Sequence, residues 1–352
     1  MKKVIIIICS LIILVCLFLG GFYVWGLGAL GGSEKVNFII EAGTSKQDIA
    51  KNLQNAHLIR NEYVLDAYLY LTRPTIQAGE YELSPSMTPK EIIDKFKSGD
   101  IVVKTVNVTL LEGESVADYA ETLSKTLSFT KEEFLSTIKD KEFLQTLIEK
   151  YWFFTDEVLN EQLYEPLEGY FYPDTYEFMQ NASISDVVLT ILNNTEQKLD
   201  TVKEDITNSG YTTHQILTLA SLVEKEGITK EDRQKIAQVF YTRLSINMPL
   251  GSDISTYYGV HKSMRDGELT FQDIYNVNPY NTRLTDGQMN GKLPIGPVDN
   301  ASLDAIWATL HKTETNYIYF IANTCTKEVF FFEDYNGFLQ KGSELRSICE
   351  TN

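Results

Sequence analysis

Residues 4–30, VIIIICSLIILVCLFLGGFYVWGLGAL, contain no charged side chain. Lipid offers no partner to an unpaired backbone N–H or C=O, so an apolar run of about 20 residues crosses the hydrocarbon layer as a helix. A cleaved signal peptide has a shorter apolar core, roughly 7–15 residues, and a small-x-small cleavage site. Here the core from Val4 to Leu19 is longer, and Tyr23 and Trp25 suit the aromatic belt of a membrane interface. The expectation is an uncleaved single-pass anchor over residues 1–30. Lys2 and Lys3 stay cytoplasmic by the positive-inside bias, and everything from about Gly31 onward lies outside the cell membrane.

The remaining chain is long enough for folded domains. Of 352 residues 43% are hydrophobic, and the formal charge is −17. That charge repels a phosphate backbone, and no Lys/Arg run interleaved with aromatics provides a local basic track, so nucleic acid is excluded as a partner. The four histidines, His57, His214, His261 and His311, are scattered, and no CxxC or Cys/His grouping suggests a metal. Neither metal nor cofactor is expected. Cys325 and Cys349 fall in the outer part, and whether they pair is not legible from sequence.

Residues 36–104 read as a small α and β module. VNFII and GEYEL are strand-like, and the stretches 45–56 and 88–97 have apolar residues at helical spacing, with Thr44 and Thr88 placed as caps. The pattern recurs more weakly at 103–123, VKTVNVTLLEGESVADYAETL. Both copies set a glycine, Gly43 or Gly113, between strand and helix, where the turn calls for positive φ. From 105 onward a larger region follows, its core about 160–345.

Within that region LYEPLEGYFYPDTYEF, residues 163–178, alternates rings with Glu165, Glu168, Asp174 and Glu177. Aromatic faces beside carboxylates suit a sugar, which presents C–H faces next to hydroxyls. The same pattern equally describes a hairpin whose rings pack into a core.

Two more acids end the most apolar helix. Thr212 and Gln215 are spaced as a capping box, so a helix is expected from Thr213 to just before Gly227, a residue suited to a left-handed C-terminal position. At about 100° per residue from Ile216, Glu224 falls near 80° and Glu226 near 280°, both at margins of the apolar stripe, while Lys225 points to solvent near 180°. Loss of water and the negative end of the helix dipole both raise a carboxyl pKa there. A cleft acid kept protonated can donate to a glycosidic oxygen. The alternative is a buried ion pair with Arg233 or Arg243. Periodicity does not choose between Glu224 and Glu226.

LEGYFYPDTYEF, ASLVEKEG, VFYTRL (239–244), SDISTYYG (252–259), NPYNTR (278–283) and LPIGPVDNASLDAI (293–306) occur in the order found in MltG-type, YceG-like endolytic murein transglycosylases, which this chain resembles over nearly its whole length. The resemblance implies an α+β protein: an N-terminal transmembrane helix, a LysM-like module at 36–104 and a mixed α+β catalytic region at 105–352. It implies a lytic transglycosylase that cleaves nascent peptidoglycan glycan strands between N-acetylmuramic acid and N-acetylglucosamine, leaves a 1,6-anhydro end and so terminates strand elongation. It places the catalytic role on the first glutamate of the E-K-E pair, Glu224. Glu226, Asp253, Tyr258, Tyr280, Asn281, Glu168 and Tyr170 become candidate substrate-binding residues, and peptidoglycan synthases (penicillin-binding proteins) candidate partners. The chain departs from the family pattern at Ile254–Ser255, at Arg283, where a tyrosine is usual, and at Ile295. The competing class is a membrane-tethered peptidoglycan-binding scaffold that does not cut.

Overall fold

The structure is a computed structural model that describes residues 2–102, 104–284, 287–323 and 326–349, with side chains to residue 345. Cys325 and the side chain of Cys349 lie outside the described residues, and with them the question of their pairing. The chain divides into two compact units, Met1–Lys104 and Thr105–Asn352.

The first unit begins with α1 (Lys2–Gly26), long and apolar enough to cross a membrane. Beyond it the order is β1 (Val36–Ile40), α2 (Lys46–Asn55), α3 (Glu62–Thr72), β2 (Gly79–Leu83) and α4 (Pro89–Ser98). The two strands pair antiparallel, Val36 opposite Leu83 and Ile40 opposite Gly79. Alternation sends Phe38, Ile40, Tyr81 and Leu83 inward, against Leu53, Leu69 and Phe96 from the helices. Thr88 caps α4 with a full capping box, as its spacing predicts. The cap of α2 is Ser45 rather than Thr44, whose hydroxyl instead donates to Glu41 O. Sequence periodicity passed over α3, whose exposed face carries Tyr63, Tyr70 and Leu71 and blurs its polar side.

The second unit runs β3 (Thr105–Thr109), α5 (Val116–Ser124), α6 (Lys131–Ile138), α7 (Lys141–Lys150), β4 (Thr175–Met179), α8 (Ile184–Asp200), α9 (Lys203–Asn208), α10 (Thr213–Glu226), α11 (Lys230–Ser245), α12 (Asp253–Gly259), α13 (Phe271–Ile274), α14 (Leu303–Leu310), β5 (Tyr319–Asn323), β6 (Glu328–Phe332) and α15 (Tyr335–Cys349). Gly43 and Gly113 both adopt positive φ, 87° and 71°, in the strand-to-helix turns. The resemblance between the two copies stops there. β3 pairs with β4, far along the chain, and β5 with β6 in a separate ribbon.

The centre of this unit is α10. Ile216, Leu219, Ala220, Leu222 and Val223 are fully buried, packed by α11 on one side and α14 on another. Thr212 and Gln215 form the expected capping box, and the helix ends at Glu226. Gly227 does not take the left-handed conformation; its φ is −97°. Glycine serves a different need there: a Cβ would stand 2.4 Å from Arg233 Cγ and 3.0 Å from Arg233 Cα. Its absence lets α11 approach the end of α10.

The aromatic segment 163–178 resolves mostly as core. Tyr170, Phe171, Tyr176 and Phe178 are buried, while Tyr164 and Tyr172 keep some surface.

Candidate functional site

Both helix-terminal glutamates turn away from solvent, as the wheel predicts, and Lys225 is exposed. Their surroundings differ. Glu224 has a side chain only 7% exposed, and Oε1 accepts from Arg233 Nη2 at 2.6 Å. Its Oε2 accepts from Ser302 N at 2.9 Å and Ser302 Oγ at 2.5 Å. Ser302 is also the N-cap of α14, so the carboxylate meets the positive end of that helix. Both oxygens of Glu224 are thus engaged within the fold, one by a guanidinium and one by a serine.

Glu226 lacks such partners. Its Oε1 accepts one bond, from Ser252 Oγ at 2.9 Å. Desolvation, reinforced by Asp253, pushes its pKa up to about 7, against the pull of Ser252, Arg243 and Arg283. Arg243 does not pair with it: the guanidinium donates to Ile318 O at 2.8 Å and to Leu250 O. As a residue Glu226 keeps part of its surface exposed. A carboxyl that is desolvated yet reachable is what a cleft acid requires.

Three of the sequence motifs are knitted together to hold Ser252 in place. Ser252 N donates to Thr282 Oγ1 at 3.0 Å, and Ser255 and Thr282 hydroxyls meet at 2.7 Å. Asn281 is fully buried. Its Oδ1 accepts from Thr256 Oγ1 and Arg283 N, and its Nδ2 donates to Ile274 O and Asn276 O. All the hydrogen-bonding capacity of that amide is used within the fold. Asp253, with a side chain 53% exposed, pairs with Arg283 beside Glu226. The arginine that departs from the family pattern therefore occupies the site.

The other candidates lie inside. Tyr170 is completely buried, its hydroxyl 3.0 Å from His214 Nδ1, while His214 Nε2 donates to Ile295 O at 2.9 Å. Tyr280 is also buried, and its hydroxyl accepts from Tyr164 N. Glu168 accepts from Val116 N, Asn300 Nδ2 and Tyr258 Oη, and burial holds its pKa well above the usual carboxylate range. Glu168, Tyr170, Tyr280 and Asn281, which the resemblance suggested as substrate-binding residues, are buried and bonded within the fold. Tyr258, partly exposed, has its hydroxyl committed to Glu168. Glu226 and Asp253 are the candidates that the fold brings together, while Glu224 sits at the other margin of α10. Sequence reasoning missed Ser252 and Ser302; only the S-x-x-A cap spacing of Ser302 gave a signal.

It also missed Asp299. This side chain is 1% exposed, and neither carboxylate oxygen has a hydrogen-bond partner among the described residues. Burial raises its pKa well above normal, against the pull of Lys225 and with a smaller push from Glu224. An acid whose folded pKa is raised contributes stability that is present below its unfolded pKa, about 4, and lost as pH rises through the folded value. Asp299→Asn is expected to raise Tm at pH 8 by several degrees, corresponding to roughly 1–3 kcal/mol, with the gain shrinking toward pH 4. Calorimetric melting across pH 4–8 checks this; a flat difference between the two proteins contradicts it.

Among the described residues no group of three or more His, Cys, Asp or Glu side chains is placed to hold a metal ion. The protein-family comparison matches residues 38–344 to the YceG-like family. The chain is 32% identical over 324 residues to an endolytic murein transglycosylase of Bacillus subtilis (strain 168), covering 89% of this chain and 87% of that one. It is 30% identical over 309 residues to an endolytic murein transglycosylase of Streptococcus pneumoniae (serotype 2, strain D39), of which it spans 55%. A 2.6 Å crystal structure described as a yceG-like protein from Listeria monocytogenes superposes with a TM-score of 0.62 at 31% identity, covering 88% of this chain and 99% of that one. With most of its length matched in sequence and in fold, the chain belongs to the YceG-like family.

Proposed function

We propose that this protein is a lytic transglycosylase acting on peptidoglycan, with Glu226 as its proton donor. The observation that carries the assignment is the Glu226 carboxyl at the end of α10, shielded from water and holding one hydrogen bond, from Ser252, in a chain of this family. The names of the matched relatives support the substrate. Resemblance put the acid on Glu224; that side chain is engaged by Arg233 and Ser302, whereas Glu226 accepts a single hydrogen bond, from Ser252. Glu224 instead ties the end of α10 to α11 and α14, which keeps Glu226 in position.

The chemistry needs one carboxyl used twice. Glu226 protonates the glycosidic oxygen between N-acetylmuramic acid and N-acetylglucosamine as the C1–O bond breaks. Its carboxylate then takes the proton of the C6 hydroxyl, whose oxygen bonds to C1 to give a 1,6-anhydro end, and the acid is regenerated. Ordinary glycoside hydrolysis needs a second carboxylate as nucleophile or base. Asp253 and Arg283, paired at the exposed margin, are suited to holding sugar hydroxyls rather than to that role. The anchor at residues 1–30 would keep residues 105–352 near nascent strands on the outer face of the cell membrane, and the β–α–α–β unit at 36–104 is assigned as the LysM-like module. Peptidoglycan synthases are partners consistent with that location.

Full-length protein in detergent micelles, incubated with isolated glycan strands, is expected to yield anhydro-ended fragments by mass spectrometry. Reducing ends would mean hydrolysis, and strands of unchanged length would leave only a binding scaffold.

A further inference from the structure

A second feature of the same unit lies on the far side of α11. Two cavities of about 650 and 660 Å³ share Tyr211, Tyr241 and Ser245 as walls and so form one elongated trough. Each is within the range of about 300–1,000 Å³ typical of small-molecule sites. Taking Gln238 as zero and about 100° per residue along α11, Tyr241, Thr242 and Ser245 lie near 300°, 40° and 340°, whereas Arg233 and Arg243 lie near 220° and 140°. The two arginines face the glutamates and the trough faces away from them.

The trough combines aromatic rings with amide and hydroxyl groups, and carries charged side chains at its two ends. Tyr211 and Tyr241 meet edge to face at 5.4 Å at its waist. Around them stand amide and hydroxyl side chains, Gln215, Gln238, Thr242 and Ser245. Gln238 donates through Nε2 to Thr242 Oγ1, but its Oε1 is buried and accepts no hydrogen bond among the described residues. At one end His311 Nε2 lies 3.5 Å from Asp205 Oδ2 and Lys312 Nζ sits 4.6 Å from the centre of the Tyr241 ring, and Glu157 and Lys292 stand at the other end. Two tyrosine rings beside amides and hydroxyls are the mixture that suits a saccharide.

We propose that this trough is a second, noncatalytic saccharide site that holds a stretch of the glycan strand on the face of α11 opposite the carboxyl centre. The choice of ligand rests on the transglycosylase reading. Full-length protein carrying Glu226→Gln is titrated in detergent micelles with a fluorescent N-acetylglucosamine tetrasaccharide and, separately, with a stem pentapeptide. Two classes of saccharide site are expected, and Tyr211→Ala is expected to weaken one of them about tenfold, as loss of an aromatic contact does. Ser245→Trp fills the trough from an exposed position and is expected to abolish the same class while leaving Tm unchanged. In the Glu226 background, Ser245→Trp is expected to slow cleavage of long strands and spare short oligomers. Saccharide binding unaffected by either change overturns the inference, as does binding of the pentapeptide alone. If the parent protein yields anhydro ends yet the trough variants bind normally, this inference fails by itself; if no anhydro ends form, the enzymatic reading fails whatever the trough binds.

Discussion

Glu226→Gln is expected to lower the rate of anhydro-product formation by at least about 100-fold, the lower range of what a positioned general acid contributes. The amide is nearly isosteric and can keep a bond to Ser252, so the variant is expected to fold as the parent does. Glu224→Gln provides the contrast. It keeps an acceptor for Ser302 but loses the charge that holds Arg233, and a fall in activity nearer tenfold is expected from misplacement of the helix end. The pH profile gives an independent check. A general acid acts only when protonated, so with a pKa of about 7 the rate is expected to be sustained on the acidic side and to fall as pH rises through that value. Product counting by mass spectrometry for both variants decides between the two glutamates. Full activity in Glu226→Gln, with loss in Glu224→Gln, would return the acid role to the first glutamate.

Arg233→Met is expected to be the most destabilising single change near the site. Arg233 and Glu224 side chains are 15% and 7% exposed, and removing one member of a buried pair while leaving the other charged costs about 3–5 kcal/mol. Replacing both is expected to recover much of that loss, because Glu224→Gln removes the stranded charge. Denaturant melts of the two single variants and the double variant supply the coupling energy. An Arg233→Met protein as stable as the parent would show that Ser302 alone secures Glu224.

These two outcomes separate the roles of neighbouring acids that look alike in the primary structure. The wheel of α10 sends Glu224 and Glu226 to opposite margins of one apolar stripe, which accounts for their shared burial. It says nothing about what waits at each margin. The partner of Glu224 at Ser302 lies 78 residues downstream, and the partner of Glu226 at Ser252 lies 26 downstream. Arg233 and Arg243 could both be named from sequence as partners, yet only Arg233 pairs with a glutamate, because the guanidinium of Arg243 turns to carbonyls of Ile318 and Leu250. The aromatic segment taught a similar lesson: alternation of rings and acids is compatible with a groove or a core, and the packing of α8 and α10 around Tyr170 and Phe171 made it core.

Local features were determined by the chain itself. An uncharged apolar run fixes α1, a capping box fixes the start of α10, and glycines at positive φ fix the turns after β1 and β3. Each depends on a few adjacent residues and on backbone sterics or solvation, which sequence records directly. Tertiary structure alone decided which glutamate gains a guanidinium and a serine as partners and which is shielded from water with one hydrogen bond, and it alone showed Asp299 buried with no hydrogen-bond partner among the described residues. Those outcomes are set by the balance of lost water against gained partners at one point in space, and the groups that tip it arrive from α11, α12 and α14.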